Sequence, residues 1–170
     1  MKKYFILSLL VTILQTNAWA QMLSNTKVIL SGNFSVPMGH LLPGDEILAS
    51  DQTFKRVNGV YHEANEQAMF YITTEGGNTL VCDKDQVLQL SNRKLIQAKK
   101  VKAGHVLHGQ NGPLQVVSIS FVFVSTDVSL LSFGPTVEDV NDHLYFANGI
   151  SVGGYSLTRG WMGLPAEVKE

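Results

Sequence analysis

Cysteine is almost missing from this chain of 170 residues: Cys82 is the only one, so no disulfide can form within it. Runs of like charge are missing as well. Thirteen Lys and Arg stand against 14 Asp and Glu, a net charge of −1, and that balance excludes an extended nucleic-acid surface. No apolar run reaches the ~20 residues that a bilayer-spanning helix needs. Helical periodicity is scarce beyond residue 20, which points away from helical folds. Histidines with the spacing of a metal site are lacking too. His105 and His108 are three apart, which on a strand puts them on opposite faces, and His40 and His62 lie elsewhere in the chain. Neither a metal nor another cofactor is expected.

What is present begins with a three-part N-terminus. Lys2 and Lys3, the apolar run "YFILSLLVTIL" and the small-residue ending Ala18-Trp19-Ala20 have the layout of a secretory signal peptide. Residues 1–20 are therefore expected to be removed, with a retained membrane anchor as the alternative. The protein would then be extracytoplasmic, in a periplasm or outside the cell, begin at Gln21 and hold no membrane segment. No Cys follows that point directly, so a lipid anchor is not supported. The remaining 150 residues (170 − 20) suit one domain able to bury about 70% of its chain surface. They carry 11 basic residues (13 − 2) against 14 acidic.

Period-2 patterning dominates this portion. In "LQVVSISFVFVS", Val117, Ile119, Phe121 and Phe123 fall on one face and Ser118 and Ser120 on the other. "FKRVNGVYHE" predicts a hairpin turned on Asn58-Gly59, "QAMFYITTEGGNTLVC" one turned on Gly76-Gly77, and "LYFANGISV" one turned on Asn148-Gly149, because Asn-Gly and Gly-Gly supply the positive φ of two-residue hairpin turns. Short strands punctuated about every ten residues predict an all-β domain. Leu80 and Cys82 share a strand face, which predicts a buried, inert thiol. Asn33-Phe34-Ser35 is a glycosylation sequon that matters only in a eukaryotic source. The tail "LTRGWMGLPAEVKE" either packs or frays, and Trp161 and Met162 within it either dock on the domain or mark a partner surface.

An internal echo joins the two halves. "LLPGDEIL" is similar to "VKAGHVLHG", with Gly44 and Gly104 at the matching place in each, the pattern of a duplicated supersecondary unit. With "NTKVIL", "LLPGDEILAS", "GNTLVCDKDQVLQL", "AKKVKAGHVL" and "HLYFANGISVGG" in this order, residues 21–155 resemble the Hint domains of inteins and hedgehog C-terminal autoprocessing proteins. The resemblance implies a horseshoe of short antiparallel strands with an internal pseudo-twofold, followed by a C-terminal tail over residues 156–170. An unrelated small β-barrel would lack that pseudo-twofold.

The resemblance also implies which positions would carry chemistry. Such domains open with a Cys or Ser that attacks the preceding carbonyl; counting back from Thr26 puts Gln21 there. They hold the scissile amide with a Thr and a His; one register puts Asp83 and Gln86 at these positions, a register slipped by one puts Cys82 and Asp85. They close on His-Asn, where this chain has Gly153-Gly154. His143, with Asp142 beside it, matches a His that some relatives use in the C-terminal step. Gly44, Asp45, Gly104, Asn148 and Gly149 match turn positions, as Thr26 matches the first strand. The expectation is an autoprocessing scaffold whose reaction has been lost and which serves as a binding or structural module for a protein or peptide partner. The rival is a domain that still cuts its own backbone near Gly153 or Asn148 with His143 and Asp142 moving protons.

Overall fold

Strands account for most of the regular structure in the computed structural model, which describes residues 21–170, and every ladder between them is antiparallel. The all-β expectation holds. The segment read as a signal peptide, residues 1–20, lies outside the described residues. In chain order the strands are β1 (Met22–Leu23), β2 (Lys27–Leu30), β3 (Phe34–Pro37), β4 (Glu46–Leu48), β5 (Phe54–Arg56), β6 (Gly59–Thr74), β7 (Thr79–Cys82), β8 (Val87–Gln89), β9 (Leu95–Gln97), β10 (Val106–Gly109), β11 (Gly112–Ser132), β12 (Leu144–Ala147) and β13 (Ile150–Gly153). A short α-helix, α1 (Tyr155–Arg159), opens the tail.

Strands β2 to β5 form one sheet in the order β3-β2-β4-β5; the others form a second, running β1-β7-β6-β11-β10-β13-β8-β9 with β12 paired to β13. Strand β1 pairs with both β7 and β11, so β1, β7, β6 and β11 close on themselves. Ala49 bridges to Tyr145 and Asn148 N–H donates to the Lys27 carbonyl at 2.7 Å, which ties the smaller sheet to the larger. Between them lies the main core, including Met22, Met38, Ile47, Ile72, Leu80, Leu88, Ile96, Leu107 and Tyr145, all at most 1% exposed. Cys82 is sealed in that core, where burial pushes its thiol pKa far up. A thiol held protonated in this way is a poor nucleophile.

Two of the three predicted hairpins form. Gly76-Gly77 joins β6 to β7 with Thr73 opposite Thr79, and Asn148-Gly149 joins β12 to β13 with Ala147 opposite Ile150. Asn148 (φ 49°) and Gly149 (φ 78°) both take positive φ, as a type I′ turn requires. The Asn58-Gly59 hairpin does not form. Strand β5 pairs with β4, and β6 departs at Gly59 to pair with β11, so the dipeptide is a crossing between sheets. Asn58 N–H donates instead to the Ser132 carbonyl at 2.8 Å.

The long ribbon of β6 and β11 also departs from its pattern. A bulge between Val116 and Ser118 resets the register, and the ribbon then curls around a small cluster of Met69, Val124 and Val128. Phe121 and Phe123 fall on the convex side, each 70% exposed, with the Phe70 and Phe121 rings 4.6 Å apart. Only Ile119 of that apolar row packs on the main core.

The internal echo is a full structural repeat. Thr26 N–H donates to the Leu23 carbonyl and Gln86 N–H to that of Asp83; Met38 donates to Thr26 and Ala98 to Gln86; Gly39 donates to Ser24 and Lys99 to Lys84. Leu30 pairs with Ile47 as Leu90 pairs with Leu107. From Thr26 and Gln86 through Met38 and Ala98 to Ile47 and Leu107, the offset along the chain between the two copies stays constant. Gly44 (φ 105°) and Gly104 (φ 91°) occupy the same turn in each copy, and this left-handed conformation favours glycine. A Cβ at Gly104 would meet nothing within 4 Å, so backbone strain alone opposes substitution there. Gly104→Ala is expected to lower stability by about 1–2 kcal/mol, checked by urea titration; no change would mean the turn relaxes to negative φ.

Candidate functional site

One hydrogen-bonded path joins the sequence-predicted positions. Gln21, buried at the start of β1, accepts at its carbonyl from Asp83 N–H at 2.9 Å. Its carboxamide donates to Glu63 Oε2 at 2.7 Å and accepts from Gln67 Nε2 at 3.3 Å. The Asp83 carbonyl accepts from Gln86 N–H at 3.2 Å, the turn that Thr26 makes in the first repeat. Gln86 is fully buried, and its Nε2 donates to the Gly153 carbonyl at 2.7 Å and to that of Val87 at 3.0 Å. Gly154 N–H then donates to the His143 carbonyl at 2.8 Å.

Close packing governs the end of β13. A Cβ on Gly153 would sit 3.0 Å from Leu157 Cδ2 and 3.1 Å from Val87 Cβ; one on Gly154 would sit 3.0 Å from both the Leu131 carbonyl oxygen and the Phe133 ring. Only a residue without a side chain fits these contacts unshifted. The tail then packs. Leu157 and Trp161 enter a second cluster with Val87, Leu95 and Leu144, while Met162 stays 88% exposed. Lys169 bridges to Leu95 and Glu170 N–H donates to the Leu95 carbonyl.

The ionisable groups along this path are few. Burial raises the Asp83 pKa, while its Oδ1 accepts from Asp85 N–H at 2.8 Å. Asp85, from the slipped register, is taken by Lys99 Nζ at 2.6 Å. His143 is buried, its Nδ1 has no hydrogen-bond partner among the described residues, and burial lowers its pKa against an opposing hydrogen bond to the Thr136 backbone. Asp142 turns to solvent and pairs with Lys55 at 2.8 Å. The turn residues act locally: Asp45 Oδ2 accepts from Leu42 N–H at 2.8 Å, and Asn148 Oδ1 accepts from Lys27 N–H at 2.7 Å. His105 and His108 have separate partners, Lys102 N–H and the Ser50 carbonyl. Among the described residues no three His, Cys, Asp or Glu side chains converge as metal ligands do.

The group holding the Gly153 carbonyl is thus a carboxamide, which can donate a hydrogen bond and cannot exchange a proton near neutral pH. Among solved structures, the chain is similar to an intein-like domain from Clostridium thermocellum (TM-score 0.67, 17% identity, 79% of this chain and 98% of that one). The MchDnaB-1 intein matches with TM-score 0.64 and 19% identity over 78% and 99% of the two chains. The gp41-1 intein gives 0.64 and 17% over 79% and 98%. The fold is of the intein-like Hint type. No family model and no curated protein sequence matches the chain, so the likeness is one of fold. In this Hint-type frame the sequence-predicted positions Gln21, Asp83, Gln86, Gly153, Gly154 and His143 lie along one path, while Asp142 points away from it.

Of the two readings left open for the tail, packing is the one that forms: Trp161 docks on the domain with Leu157, whereas Met162 stays exposed. The sequence shows no partner strand that would say where Leu157 and Trp161 land.

Two outcomes follow from this geometry. Gly154→Ala is expected to destabilise by about 1–3 kcal/mol through overpacking and to speed tryptic cleavage after Arg159, measured by urea titration and limited proteolysis. An unchanged midpoint would mean that Leu131 and Phe133 yield freely. For His143, the folded pKa lies below the ordinary value of 6.5, so the unfolded chain binds more protons and stability falls as pH drops below about 6.5. His108, also lowered by burial, adds to the same slope. His143→Gln is expected to flatten the slope between pH 7 and 5 in denaturation midpoints; an unaltered slope would assign it to other groups.

Proposed function

We propose that this is an exported Hint-fold protein that no longer cleaves itself and works as a binding or structural module for a protein or peptide partner. The observation that carries the reading is the junction at Gly153-Gly154, where neither residue has a side chain, the neighbours already press within about 3 Å of where a Cβ would sit, and the chain runs on into a packed tail. Self-cleavage at that point needs a group that attacks a backbone carbonyl and a donor that protonates the departing amine. Glycine supplies neither. The carboxamides at Gln21 and Gln86 support the same reading, since they replace an attacking atom with an amide and an imidazole with a group that does not titrate. Residues 1–20, with the layout of a signal peptide, support export.

The rival is cleavage near Gly153 or Asn148 driven by His143 and Asp142. One observation favours it: the buried Nδ1 of His143 lacks a partner among the described residues, and the backbone of that residue holds Gly154. Against it, Asp142 is engaged by Lys55 on the surface.

Intact mass measurement of protein carrying a C-terminal tag, followed for hours at neutral pH with and without a thiol nucleophile, separates the two. A single unchanging mass is expected. A shorter species ending near Gly153 or Asn148, formed more slowly by His143→Ala, would replace this proposal with the rival.

A further inference from the structure

Three distant segments meet around an open cavity of ≈ 720 Å³: the start of β6 at Asn58 and Tyr61, the end of β11 and its following loop at Ser132 and Pro135, and the tail at Tyr155, Arg159 and Leu164. Its walls contain no Asp, Glu, Lys or His; Arg159 is the one charged side chain that lines it. No carboxylate pairs with Arg159 among the described residues. Its Nη1 donates to Tyr155 Oη at 2.5 Å and its guanidinium lies 5.7 Å from the centre of that ring, which holds the side chain against the wall. The remaining N–H groups of the fork have no hydrogen-bond partner among the described residues. Tyr61 lies beside Tyr155, ring centres 5.8 Å apart, and continues the wall. The side-chain amide of Asn58, with no hydrogen-bond partner among the described residues, is a second donor at the rim.

An arginine fork with no acid to satisfy it, set in an otherwise uncharged wall, is matched by a carboxylate, whose two oxygens accept in parallel. Pro135, Val137 and Leu164 offer apolar surface next to it. We infer that this cavity binds a carboxylate borne on an apolar group, taken from either the C-terminus of a peptide or a free organic acid. The inference rests on the tail staying attached, as in the binding-module reading, because cleavage after Gly153 would remove Tyr155 and Arg159 and with them one wall.

The test is isothermal titration of the intact protein, its mass verified in the same sample, with three probes to about 5 mM, the range within reach of a ligand of some ten heavy atoms. The probes are acetyl-alanyl-leucine with a free carboxylate, the same dipeptide as its amide, and 4-methylpentanoate. Binding of a carboxylate probe and not of the amide is expected. Arg159→Gln should weaken that binding at least tenfold, and Arg159→Lys should recover part of it, with melting temperatures showing that both variants fold. Tighter binding of the dipeptide than of 4-methylpentanoate identifies a peptide terminus as the source, and the reverse a free acid. Equal binding of the amide, or carboxylate binding that Arg159→Gln leaves unchanged, overturns the inference while the binding-module reading stands. No heat from any probe with an intact mass overturns it as well. A shortened mass would instead remove the reading on which it rests.

Discussion

The contact that the second half of this molecule depends on is the absence of two side chains. With Gly153 pressed on Val87 and Leu157, and Gly154 pressed on the Leu131 carbonyl and the Phe133 ring, the end of β13 lies flush against its neighbours. That placement lets Gln86 reach the Gly153 carbonyl and lets α1 begin at once, with Leu157 turned into the cluster of Val87, Leu95 and Leu144. A Cβ at either position would press within about 3 Å of these neighbours, which would have to move aside.

The rest of the site is built from the same duplicated unit. Because the second copy repeats the first at a constant offset, Gln86 sits where Thr26 sits in the other half. Both are buried, and both use the backbone to close a turn and receive the next one. The turn geometry has persisted in both copies while the side chains differ. This is the expected pattern where backbone hydrogen bonds define a fold and side-chain identity defines chemistry.

Much of this was legible in the chain itself, and the failures have physical causes. Gly76-Gly77 and Asn148-Gly149 turn hairpins because both flanking arms are free to pair with each other. Asn58-Gly59 carries the same local preference, yet β5 is already taken by β4, so tertiary pairing overrode the turn. The Gly44 and Gly104 echo was readable because positive φ restricts the residue choice. Alternation puts Ile119, Phe121 and Phe123 on one face and cannot tell whether that face is covered: Ile119 packs on the main core while both phenylalanines stand exposed. The family resemblance singled out Gln21, Asp83, Gln86, Gly153 and Gly154, and the fold strings them along one path, whereas the cavity around Arg159 could not be read at all. Its walls come from three separate stretches that only the fold brings together.

Strand β1 has only two residues, and its place between β7 and β11 has a consequence for the order of events in the cell. Met22 faces Ser129, so the two partners lie 107 residues apart in the chain (129 − 22). At about 5–20 residues per second of synthesis, the later partner emerges roughly 5–20 s after the earlier one. The ring of β1, β7, β6 and β11 therefore cannot close while the early chain is being made. Met22 and Leu23 stay without their β11 partners until Val128 and Ser129 have been made, so a late strand seals the first one.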